Sequence, residues 1–119
     1  MDKQVVYDLE MRTTGFAKRV IRLCKVLPRN SINSRLIDQV VGSAGSIGAN
    51  YREANDALGK KDFVMKVKTA RREAKECSHW LELISEANDT LSSRMTALIQ
   101  ESNELKNILS SIIVKFLKP

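Results

Sequence analysis

Apolar residues return after three and then four positions through four separate blocks of this chain, and that rhythm limits the fold more than any other feature. In the first block Leu9, Phe16, Val20, Leu23 and Leu27 share one helical stripe. The second is stricter: Ile37, Val40, Ala44, Ile47, Tyr51, Ala54 and Leu58 alternate without a miss. Phe63, Val67, Ala70, Ala74, Cys77, Leu81 and Ile84 repeat the pattern, as do Leu91, Met95, Leu98, Ser102, Leu105, Leu109, Ile112 and Phe116. No period-two alternation of useful length competes with it. The phases predict helices over residues 5–27, 33–58, 61–88 and 90–117 of a single 119-residue domain.

The breaks between blocks are short. Pro28 stops the first helix, and Ser31 or Asn33 is available to cap the second. Gly59 suits a left-handed position after Leu58, while Asn88-Asp89-Thr90 interrupts the apolar pattern and supplies a cap. Gly15 weakens the first helix by about 1 kcal/mol relative to Ala. Connections this short force successive helices to run antiparallel, so the expected fold is an all-α, up-down-up-down four-helix bundle with shallow, left-handed crossings.

Composition agrees and narrows the compartment. Two prolines, five glycines and a handful of aromatics suit helices better than a sandwich or barrel. Cys24 and Cys77 lie far apart, form no CxxC pair and follow no secretory leader, so reduced core thiols in the cytoplasm are expected. No apolar run approaches the roughly 18 residues a membrane span requires, and no membrane partner is expected.

The second helix departs from the others on its outward side. Gly42, Gly45, Ser46, Gly48 and Ala49 fall there, within a stretch that at first resembles a phosphate-binding loop. Its glycine spacing matches neither the dinucleotide nor the P-loop pattern, and no strand precedes it. Glycines on a helix surface lower its stability, and what offsets that is the close approach of another backbone. These residues are therefore the candidate interface of a homo-oligomer; a neighbouring helix or the N-terminal segment of the same chain is the alternative occupant.

Charge is also unevenly placed. Residues 1–75 hold 16 Lys/Arg and 8 Asp/Glu, whereas residues 76–119 hold 4 and 6. The helical phase puts Lys18, Arg22 and Lys25 outward on the first helix, with Arg12 and Arg19 alongside. On the third it exposes Lys61, Lys68, Arg72 and Lys75, with Lys66 and Arg71 flanking, after which Glu76, Glu82 and Glu86 turn the face acidic. The fourth helix shows mostly Ser, Thr, Asn and Gln. Lys18, Arg22, Lys25, Lys61, Lys68, Arg71, Arg72 and Lys75 are the candidate contacts to the phosphates of a nucleic acid.

Catalytic chemistry finds little support. Glu76 and His79 make a Glu-x-x-His pair, but a di-metal bundle needs a second such pair and two more inward carboxylates. His79 is the only histidine, and both residues fall outward. Cys77 lies on the seam and Cys24 beside one, as inert core thiols do. No catalytic, metal or cofactor-binding residue is assigned, and no enzyme activity is expected.

The strings Gly42-Ser43-Ala44-Gly45-Ser46-Ile47-Gly48-Ala49-Asn50-Tyr51-Arg52-Glu53-Ala54 and Lys61-Asp62-Phe63, with Glu73-Ala74-Lys75-Glu76 and Trp80-Leu81, closely resemble the bacterial 23S rRNA intervening sequence proteins. Where many members carry a Ser shortly before Asp62-Phe63, this chain has Gly59-Lys60, which leaves the third helix without that cap. The resemblance covers essentially the whole chain. It implies a small cytoplasmic bundle that forms a homopentamer, with no established activity or universal binding residue. It extends distantly to the accessory proteins of diversity-generating retroelements, which bind a reverse transcriptase and RNA. A non-enzymatic, RNA-associated homo-oligomer is therefore expected; the alternative is a protein-interaction scaffold or accessory factor for a reverse transcriptase.

Overall fold

The computed structural model describes residues 2–118. Four long helices fill it: α1 (Lys3–Val26), α2 (Ser31–Asn55), α3 (Lys60–Ala87) and α4 (Ser92–Leu117), with one 3-10 turn at Asp89–Leu91. Each packs on its sequence neighbour and α4 closes back on α1, giving a four-helix bundle of 49 × 21 × 21 Å. Among the described residues, no helix is long and apolar enough to cross a membrane.

Each start and stop has a local cause. The Asp2 carboxylate accepts from the Gln4 amide at 2.7 Å and caps α1, which ends as Leu27 turns extended ahead of Pro28. The cap of α2 is Asn30, one position before Ser31 and three before Asn33, its Oδ1 accepting from the Asn33 amide at 2.8 Å. At the other end α2 stops at Asn55, three residues short of Leu58, and Leu58 is 95% exposed rather than part of the seam. The chain needs residues 56–59 to reverse. Gly59, at φ 103°, turns it and sits at the N-cap of α3 rather than at the end of α2. Asp62 in the first turn of α3 accepts from the Leu58 amide at 3.4 Å. The break at Asn88-Asp89-Thr90 becomes a single 3-10 turn, and α4 starts without a side-chain cap.

The four predicted stripes form the core. Phe16, Val20, Leu23, Ile47, Leu81, Met95, Leu105 and Leu109 are all essentially inaccessible, each such apolar side chain contributing about 1.5–3 kcal/mol by leaving water, and Tyr51 is equally buried. Ala44 and Ala54 of α2 and Ala70 and Ala74 of α3 are buried too, and these two helices share the most extensive contact in the bundle. Thr13, Val64 and Ile113 join the core beyond the seams. Ile37, Phe63, Leu91 and Phe116 at the ends are only half-buried. Phe63 and Phe116 instead pack on each other, centroids 4.6 Å apart, across the end that holds both termini.

The opposite end is held by polar groups. Asn33 and Asn88, both buried, exchange two hydrogen bonds: Asn33 Nδ2 to Asn88 Oδ1 at 3.0 Å and Asn88 Nδ2 to Asn33 Oδ1 at 2.9 Å. Asn33 Nδ2 also donates to the Pro28 carbonyl at 2.8 Å and Asn88 Nδ2 to the Ile84 carbonyl at 2.9 Å. This reciprocal pair ties the α1–α2 connection to the α3–α4 connection with all four amide hydrogens used. Asn88→Ala should lower stability to urea by roughly 1–3 kcal/mol, because it strands a buried amide as well as losing bonds. The double variant with Asn33→Ala should lose less than the sum of the two single ones; strict additivity would show the pair to be uncoupled.

Candidate nucleic-acid interface

The cations of this chain divide by where the helix phase puts them. Three at helix–helix boundaries are engaged. Arg12 donates from Nε and Nη2 to the two carboxylate oxygens of Glu101, at 2.9 and 2.7 Å, and approaches Glu104 at 3.5 Å, joining α1 to α4. Arg52 reaches Glu10 at 3.3 Å, where Asn55 also donates, joining α1 to α2. Lys66 meets Glu53 at 3.1 Å between α2 and α3. Arg12, expected to stand beside the basic face of α1, is thus committed to the fold.

The cations on the outward faces are free of such partners. Lys18, Arg22, Lys25, Lys61, Lys68, Arg72 and Lys75 are exposed and Arg71 is half-buried. Among the described residues, none of them lies within 4.0 Å of a carboxylate. They form two strips and not one surface: α1 and α3 are diagonal in the bundle, with no close backbone approach. Arg94 of α4, on the helix expected to be neutral, adds to the α1 strip, lining a shallow groove with Arg19 and Arg22. The α1–α4 adjacency of an up-down bundle was the signal that could have placed it there.

On α3 the strip runs into an aromatic. Lys68, Arg71, Arg72 and Lys75 share one open depression with Glu76, His79 and the half-buried Trp80. The His79 and Trp80 rings meet edge-on, centroids 4.9 Å apart. Glu76 and His79 are outward, and among the described residues no three His, Cys, Asp or Glu side chains gather as a metal site would need. Burial pushes the Cys24 thiol up to about 11 and the Cys77 thiol to about 12, so neither is a thiolate near neutral pH. They stand on diagonal helices with no close Cα approach, which excludes a disulfide between them.

The small-residue back of α2 is only partly as expected. Gly42, Gly45 and Ala49 are exposed and Ser46 is half-buried. Gly48 is not outward: it is buried against α1, where an added Cβ would stand 3.0 Å from Thr13 Oγ1. It lies four residues after Ala44 and three before Tyr51, hence on the shoulder of the seam that meets α1. The close approach at Gly48 is therefore made within the chain. At Gly42 and Gly45 an added Cβ would meet nothing within 4 Å.

Over residues 7–111 the sequence matches the family of the 23S rRNA-intervening sequence protein. The chain belongs to that family. A solved structure of similar shape is a protein of unknown function from the S23 ribosomal protein family of Bacteroides thetaiotaomicron VPI-5482, at 32% identity and a TM-score of 0.77. The likeness covers 88% of this chain and 97% of that one. No curated protein matches. In this member of the 23S rRNA-intervening sequence family, the strings that carry the resemblance fall on α2 and α3, the two helices that pack most extensively.

The Arg12–Glu101 pair gives stability a pH dependence. Arg12's hydrogen bond, opposed by burial, holds the Glu101 carboxyl below its usual value of 4.5. A depressed carboxylate stabilises the fold fully above the unfolded value and loses that contribution as pH falls through the folded one. Arg12→Leu should therefore be less stable than the natural protein near neutral pH, with the gap closing below about pH 4.5. The Arg12 side chain is 41% exposed, and solvent screening keeps that gap under about 1 kcal/mol. Urea midpoints across the acid range would measure it, and a gap independent of pH would rule out the ion pair as its source.

Proposed function

We propose that this protein is a non-enzymatic, RNA-associated bundle that contacts phosphates through the outward strips of α1 and α3 and assembles with copies of itself. The observation that carries the reading is the sorting of charge. Arg12, Arg52 and Lys66, at helix boundaries, are paired with carboxylates, whereas among the described residues the candidate cations on the outer faces of α1 and α3 have none within 4.0 Å. An exposed run of unpaired Lys and Arg is repelled by itself and gains most from a polyanion. The chain's net charge of +6 and its family's link to ribosomal RNA support the same reading.

The two strips lie on opposite corners of a bundle only about 21 Å across. Copies arranged around a common axis would bring like strips together, which makes assembly and RNA contact mutually reinforcing. Self-association, as a pentamer by family resemblance, fits the exposed stripe of Gly42, Gly45 and Ala49, with Ser46 at its edge. Cytoplasmic residence goes with such a partner.

RNA affinity should fall steeply with salt. If Lys68, Arg71, Arg72 and Lys75 each hold a phosphate, the logarithm of affinity against that of salt concentration should slope at about −3 for a single strand. Lys68→Glu, Arg72→Glu and Lys75→Glu together should abolish binding and leave the helical circular dichroism unchanged. A flat salt response, or binding indifferent to this triple reversal, would sink the reading. Gly45→Leu tests assembly cleanly because the protomer has space for the side chain. Light scattering should report dissociation, and an unchanged mass would move the interface elsewhere.

A further inference from the structure

We propose that the outer face of α3 around Trp80 binds single-stranded RNA, with Lys68, Arg71, Arg72 and Lys75 on successive phosphates and one unstacked base against the Trp80 indole. This rests on the RNA-associated reading and deepens it by naming the form of RNA that the site takes.

The strip has a direction. At 1.5 Å per residue the four cations span about 10 Å of helix at three levels about 5 Å apart, Arg71 and Arg72 sharing the middle one, a spacing comparable with the separation of phosphates along an extended strand. The sign of the charge then reverses. Glu76, Glu82 and Glu86 are all exposed on the continuation of the same helix. A strand lying on the cations meets these carboxylates where Trp80 begins. Its phosphates are repelled there, so the group that can reach the indole is the neutral one, a base.

Trp80 is prepared for that role. Its inner part packs against the core, and His79 stands edge-on to the ring. Little rotamer freedom is left to lose on binding. Stacking on an aromatic accepts any base, because every base has a π-face. A duplex cannot use this feature, since its bases are stacked inside and it offers a protein mainly phosphates, 2′-hydroxyls and groove edges. The α1 strip has no such neighbour: Tyr7, the exposed aromatic of that helix, lies eleven residues before Lys18, about 16 Å away along the axis. The two basic strips thus differ in kind, and only that on α3 joins cations to a stacking ring.

Trp80 is the single tryptophan of the chain, so its emission reports on the site directly. The full chain is titrated with a short single-stranded RNA, the same strand annealed to its complement, and an abasic strand of equal length. RNA anisotropy and tryptophan emission are followed together. The intact single strand should bind more tightly than the duplex and quench the emission. The abasic strand should bind through its phosphates and leave the emission unchanged. Trp80→Leu should weaken binding of the intact strand about 5- to 150-fold, with the abasic strand and the helical spectrum unaffected. Salt-dependent binding without quenching, a preference for duplex, or a Trp80→Leu variant with undiminished affinity would overturn this site while leaving the broader RNA reading in place. Failure to bind any of the three RNAs would overturn both. Quenching of the unaltered protein carries the test if Trp80→Leu does not fold.

Discussion

The bundle hangs on the close union of α2 and α3. Ala44 and Ala54 of one helix and Ala70 and Ala74 of the other are all buried, and small side chains such as these let helix axes approach more closely than leucine-rich faces would allow. Bulk is supplied from the other two helices by Phe16, Leu23, Leu105 and Leu109, which are fully buried. The consequence is asymmetry. The α1–α4 boundary is the sparsest in the bundle, and there an arginine–carboxylate pair, Arg12 with Glu101, makes the connection.

That asymmetry decides which charges are spent on folding. Arg12, Arg52 and Lys66 lie where two helices meet, within reach of a carboxylate on the neighbour. Lys18, Lys68, Arg72 and Lys75 lie a half-turn away, where the nearest surface is solvent. The fold consumes one set and, among the described residues, leaves the other without a carboxylate partner. Two strips on diagonal helices also mean that the protomer is basic on two corners and not on one face. The acidic continuation of α3 limits one strip at Glu76 and gives it a polarity that the net charge of +6 does not reveal.

Much of the fold was legible before any coordinate. Helix number, order, inward face and nearly every core residue follow from apolar phase, because a helix has only one way to bury a stripe of that period. The errors fell at a helix end and on one shoulder of a seam. Leu58 keeps the step of its seam yet stands in water, because a reversal ending at Gly59 needs the residues before it more than the core needs one leucine. Gly48 sits near the outward stripe of α2 by spacing, but on a shoulder of the seam, and α1 comes close enough there to require the absence of a side chain. The candidate cations were legible as a set, since exposure follows phase; their division into paired and free was not.

By itself, then, the sequence determined what a repeating pattern can encode: an all-α bundle, its inward faces, its chain reversals and the outward position of its cations. The tertiary structure alone decided which residues distant in the chain meet. Asn33 and Asn88 are 55 positions apart and give no periodic signal, yet they clasp one end of the molecule through two reciprocal amide bonds. Arg12 resembles every other surface arginine until α4 brings Glu101 beside it. Periodicity reports how a helix faces its surroundings, whereas pairing depends on the rotation and axial offset of one helix against another, and those are set only when the cores interlock.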